Sequence, residues 1–182
     1  MFGKTTNTTG FVSYAGDDFA LKLPVRWIPS REREFSDIVL RYEDNFDHTN
    51  SLFVAAVKSD KSSITDVAGS PEAWLEANGD RLFGLQSWEG STISEGGFAP
   101  GSTSAASILD ISQVKDAKGR AVYKYHVLVR TADGDEGGRH YLISTLVANG
   151  KLYTFCCCVG DKRWFKGVKN DALGSQDSFT VA

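Results

Sequence analysis

A chain of 182 residues, 41% hydrophobic and 24% charged, has the length and balance of one globular domain. Such a chain buries about 70% of its unfolded surface, so it needs neither a disulfide nor a metal to fold. A net charge of −3 excludes global electrostatics as a route to nucleic acid or an anionic membrane, so any basic contact surface must be a local patch.

No run approaches the roughly 18 apolar residues of a membrane span. The opening "MFGKTTNTTGF" has neither an apolar secretory core nor the Arg/Ser-rich character of a transit peptide. The expectation is a cytosolic chain, or a mature form whose targeting segment has been removed.

Strand signals dominate the chain. "GFVSY" and "FALKLP" are short alternating runs split by the turn composition "AGDD". The segment 28–37 is polar and charged and reads as a loop. "DIVLRYED" and "SLFVAAVK" flank "NFDHTN", a hairpin loop. A helix is expected over 70–84, with Ser70 as N-cap, Pro71 at the first turn and an early Glu72. Residues 86–103, rich in Gly and Ser, read as a long loop.

Four further strands are expected at 104–114, 121–131, 139–148 and 151–159. "KDAKGR" joins the first pair, and the Asn149-Gly150 hairpin signal joins the last. A C-terminal helix is expected over 161–174, with Gly167 as its weak point and Gly174 as its end, followed by a short closing strand in "DSFTVA". The sum is an α+β fold, a central antiparallel sheet flanked by helices, in one domain over 1–182 with a flexible segment at about 1–10.

Chemistry is sparse. There is no nucleophile elbow, Walker loop, dinucleotide fingerprint or zincin motif. His48, His126 and His140 are far apart in sequence. Cys156, Cys157 and Cys158 are consecutive, and neighbours on a strand point to opposite faces. They read as small hydrophobes on a buried strand rather than a metal clamp. "RTADGDEGGRH" (130–140) has the Asp-Gly and Gly-Gly pairs of a hairpin tip and lacks EF-hand spacing. Lys162, Lys166 and Lys169 fall near one helical face, the residue types of a solvated face or of a docking patch for an acidic partner.

"FALKLPVRW", "VLRYEDNFD", "SEGGF", "RTADGDEGGRH" and "GDKRWFKG", in this order and spacing, resemble PsbP, the extrinsic oxygen-evolving enhancer protein of photosystem II in plants and green algae. The resemblance runs from Phe2 to Ala182. It implies an α-β-α sandwich and no enzyme activity. It implies a place in the chloroplast thylakoid lumen, peripheral to the membrane, after removal of a transit peptide. The implied function is docking on photosystem II and retention of calcium and chloride at the manganese cluster, with no cofactor or metal bound firmly by the chain itself.

Photosystem II intrinsic subunits and extrinsic proteins of the PsbO, PsbQ and PsbR type are the implied partners. The same resemblance implies partner-binding roles for Phe2, Gly3, Lys4, Arg26, Arg31, Arg139, His140, Lys162 and Lys166, and a structural salt bridge between Asp161 and Lys166. His140 is expected to offer a pH handle on docking. Thr6, Leu85 and Asn170 stand where the family pattern has lysines, which leaves a PsbP-like assembly factor of the lumen as the alternative.

Overall fold

The computed structural model describes residues 10–83, 90–91, 105–130 and 138–182. Among the described residues, eleven strands form two sheets. A three-stranded sheet is built from β1 (Phe11–Ala15), β2 (Phe19–Pro24) and the C-terminal β11 (Thr180–Val181), in the order β1-β2-β11. The second sheet has eight strands: β3 (Trp27–Pro29), β4 (Ile38–Asp44), β5 (Ser51–Lys58), β6 (Gly90–Ser91), β7 (Ala105–Lys115), β8 (Ala121–Arg130), β9 (Arg139–Ala148) and β10 (Lys151–Gly160). Their order is β3-β4-β5-β10-β9-β8-β7-β6, with every pair antiparallel except β6 with β7.

The hairpins follow from local turn chemistry. Asn149 and Gly150 both take positive φ, 52° and 75°, and join β9 to β10 as a tight turn. Asp116 receives the Lys118 and Arg120 backbone N–H groups and fixes the β7–β8 turn. The edge strand β3 runs into the start of the segment 28–37 expected to be a loop. It is short because Pro29 has no N–H to offer and the chain leaves the sheet after Ser30.

Helices cover one face of the large sheet. α1 (Ile64–Val67), a single turn unannounced by any periodic pattern, is capped by Ser63, whose hydroxyl accepts from Thr65 N–H. α2 (Pro71–Phe83) starts as expected, with Ser70 Oγ accepting from Ala73 N–H at 3.1 Å. Trp74, Leu75 and Phe83 of α2 share a core with Tyr123, Tyr125, Tyr141, Ile143 and Cys156 of the sheet.

The other face packs against the small sheet and the C-terminal helix, over Leu21, Leu52, Val54, Leu142, Phe155, Cys157, Trp164 and Ala172. The α+β expectation therefore holds, with one amendment: a second, small sheet shares the lower layer with the helix. Cys156 and Cys157 fall in opposite cores, as strand alternation requires.

The C-terminal helix departs from its expectation. It is a single turn, α3 (Asp161–Arg163), then a wide turn at Trp164–Val168, then α4 (Lys169–Ser178). Gly167 has φ 107° and breaks the axis there. Gly174 does not end the helix. It lies mid-α4, where the Phe11 ring packs so closely that a Cβ would collide with it.

Candidate functional site

The hairpin loop 45–50, the start of β9, the end of β10 and α3 meet at one end of the large sheet. The join is polar. Asn50 Oδ1 accepts from Gly160 N–H at 2.9 Å, and Asp161 N–H donates to Gly138 O at 3.0 Å. Asp47 Oδ1 accepts from Thr49, and Asp47 Oδ2 faces Arg163 Nε at 3.6 Å, tying the loop to α3. The Thr49 hydrogen bond and the nearby Arg163 hold the Asp47 carboxyl below its usual range against the opposing effect of burial.

Gly138 has φ 96°, and a Cβ there would lie 2.5 Å from Val129 O, so only glycine lets β9 begin here and set Arg139 on the rim.

Between these elements lies a cleft of about 340 Å³ lined by Gly138, Arg139, Gly160, Asp161, Lys162, Arg163 and Lys166, with Asp47 and Thr49 on the far wall. Four cationic side chains converge on it. Two aromatic side chains stand near it in solvent: Phe46 (74% exposed) beside the loop's Asp47, and Phe165 (79%) beside Lys166. Neither stood out in the sequence, because exposure of an isolated Phe has no local signature.

Behind the cleft is a buried chain of hydrogen bonds. His140 Nε2 meets Asp161 Oδ1 at 2.6 Å, and His140 Nδ1 meets His126 Nε2 at 2.8 Å. A proton on Nε2 serves the carboxylate, so neutral His140 must accept at Nδ1 and His126 must donate from Nε2. Burial pulls both imidazoles below their ordinary value. His126 falls to about 4, and His140 is lowered although Asp161 acts in the opposite sense. Trp164 closes this group from below, stacked on His140 and also against His126.

Arg139, Lys162 and Lys166 are thus brought together around one cleft. Arg26 stands exposed in the β2–β3 turn, its carbonyl accepting from Asn45 N–H, at the same end of the sheet. Arg31 leaves the edge strand beyond Ser30 and does not line the cleft. Phe2, Gly3, Lys4, Thr6 and Leu85, and the loop centre 131–137, lie outside the described residues.

Two expectations are corrected. His140 is 3% exposed, so it does not meet a partner directly; it sits behind the cleft because Leu128↔His140 pairing turns it into the sheet's lower face. The Asp161–Lys166 salt bridge is not among the ion pairs of the described residues. Asp161 is turned inward to His140, and a spacing of five residues across the wide turn at 164–168 places Lys166 elsewhere on the rim.

A family model for PsbP matches residues 9–181. The chain belongs to the PsbP family. It is a photosystem II-related, PsbP-like protein. In solved structures, this PsbP-family chain is similar to cyanobacterial PsbP (CyanoP) from Synechocystis sp. PCC 6803, with 17% identity over 99% of this chain and 97% of that one, at a TM-score of 0.63. The Ran-binding protein Mog1p of Saccharomyces cerevisiae aligns over 94% of both chains with 13% identity and a TM-score of 0.49, a likeness that carries no argument. Among the described residues, no helix is long and apolar enough to cross a membrane.

Proposed function

We infer that this PsbP-family chain is an extrinsic subunit on the lumenal face of photosystem II, acting by docking rather than catalysis, and helping to retain calcium and chloride for water oxidation. The observation that carries this reading is the end-face cleft. Arg139, Lys162, Arg163 and Lys166 line it, and Phe46 and Phe165 stand exposed near it. Cations of one sign grouped around a concavity select an acidic surface and set its register, while exposed aromatic side chains supply apolar contact area. His126, His140, Asp161 and Trp164 hold α3 against β9 and so fix the geometry of Lys162 and Lys166.

In this reading the chain resides in the chloroplast thylakoid lumen, peripheral to the membrane, with photosystem II intrinsic subunits and the PsbO, PsbQ and PsbR-type proteins as neighbours. Arg26 extends the docking face, Arg31 is a separate peripheral contact, and Phe2, Gly3 and Lys4 serve ion retention. The chain itself holds no calcium or chloride firmly.

The experiment is reconstitution on photosystem II membranes stripped of extrinsic subunits, following binding and oxygen evolution at low calcium and chloride. Binding with restored activity is expected. Binding without restoration would confine the chain to docking. Absence of binding would overturn the reading. The neutral residues Thr6, Leu85 and Asn170 at lysine positions of the family pattern favour a second reading, a lumenal assembly factor for photosystem II. That reading predicts binding to incomplete complexes in preference to oxygen-evolving ones.

A further inference from the structure

The triple cysteine has a second face that the docking function does not use. On β10, Cys157 points into the core shared with the small sheet, whereas Cys156 and Cys158 point together toward the α2 side. There a second cavity, about 380 Å³, opens on the sheet beside the end of α2. Cys156 and Cys158 are on its floor with Tyr141 and Phe53. Arg41 and Arg139 stand at its polar side, and Phe35 and Phe83 are on its walls. All three cysteines are free. Tyr141 lies directly across from Cys158 in the β9–β10 register.

We propose that Cys156 and Cys158 form a two-coordinate site for a soft, thiophilic d10 cation of the Cu(I) class, entered through this cavity.

Strand geometry sets the choice of ligand. Residues i and i+2 on one face of a strand are about 6.6 Å apart. A disulfide needs its Cβ atoms at about 3.8 Å, which this rigid central strand does not offer. Two metal–sulfur bonds of about 2.3 Å each span the remaining gap. Among the described residues, no group of three His, Cys, Asp or Glu side chains converges on one point. Calcium, magnesium and zinc need four or more ligands, so the pair suits only cations that accept two soft donors.

Binding breaks two S–H bonds, forms two metal–sulfur bonds and releases two protons to solvent, with no change of oxidation state. The bis-thiolate complex carries one net negative charge. Arg139 and Arg41 line the same cavity and place positive charge beside the complex.

The test is anaerobic competition for Cu(I) between the full reduced chain and bicinchoninate, with wild type and the variants Cys156→Ser, Cys157→Ser and Cys158→Ser. One copper per chain is expected for wild type and Cys157→Ser, with at least tenfold weaker binding in each of the other two. X-ray absorption on the copper-loaded wild type covers the case of a variant that fails to fold; two sulfur neighbours with an unchanged circular dichroism spectrum are expected. Failure of wild type to compete, equal losses in all three variants, or loss of native structure on loading would each overturn the site. None of these outcomes bears on photosystem II docking, which is read separately on stripped membranes.

Discussion

His140 lies flat on Trp164, ring centroids 4.2 Å apart and planes within 5°. The stack joins β9 to the wide turn after α3, and the two nitrogens of the same imidazole tie it to His126 and Asp161. One buried side chain thereby couples the eight-stranded sheet to the segment that displays Lys162 and Lys166. Trp164→Ala is expected to lose about 3–5 kcal/mol of stability, the range for an aromatic side chain deleted from a core. Denaturant unfolding measures it, and a loss under 1 kcal/mol would show that the stack contributes little.

The imidazole chain makes stability depend on pH. The folded protein lowers His126 from 6.5 to about 4, and lowers His140 in the same sense. Above the unfolded value both states are neutral and stability is complete. As pH falls from about 6.5 toward 4, the unfolded chain takes up protons that the folded one refuses, so stability declines. Discounted for the partial exposure of His126, its share is about 1–2 kcal/mol. His126→Gln keeps a donor for His140 without titrating there, and should flatten the slope of stability against pH. An unchanged slope would place the dependence elsewhere.

Charge reversal at the cleft should separate binding from folding. Lys162 and Lys166 are exposed, so Lys162→Glu/Lys166→Glu is expected to leave the melting temperature within about 2 °C, as surface changes do. Affinity for stripped photosystem II membranes should fall at least tenfold, and residual binding should depend less on salt. Equal binding by both proteins would remove the cleft from the docking surface.

Gly174 poses a choice between propensity and packing. In an open helix interior, Gly→Ala stabilises by about 0.5–1 kcal/mol. Here the Phe11 ring occupies the place of the missing methyl. The overpacking cost of about 1–3 kcal/mol should win, so Gly174→Ala is expected to lower the melting temperature. A rise would mean that β1 moves away at little cost.

Arg41 is 6% exposed on β4, next to the edge strand, and meets Glu34 at 2.8 Å, Glu43 at 2.8 Å and Ser30 Oγ at 2.7 Å. Burial raises the Glu43 carboxyl and Arg41 opposes it, leaving it below its usual range. Arg41→Ala strands two carboxylates together and should cost about 3 kcal/mol, the lower end of the range for broken buried pairs, because Glu34 reaches solvent. Thermal unfolding at neutral pH checks this, and a loss below 1 kcal/mol would show that solvent replaces the arginine.

The sequence by itself determined most strands, both hairpin turns at Asp116 and Asn149, the start of α2 at Ser70 and the membership of the family. These depend on neighbours within a few residues: period-two alternation, left-handed turn residues and a capping hydroxyl. The cationic positions Arg139, Lys162 and Lys166 were legible too, through motifs carried in order along the chain.

Only the tertiary structure decided what those side chains face. Fourteen positions separate His126 from His140 and 21 separate His140 from Asp161, so no local signal announces their contact. Strand pairing across β8, β9 and β10 turned His140 inward, moved Asp161 from Lys166 to an imidazole and placed Phe46 and Phe165 at one end of the sheet. The alternation that separates Cys157 from its neighbours was readable from residue order. Only packing shows that Cys156 and Cys158 share a cavity, because whether a sheet face is covered depends on where a distant helix ends.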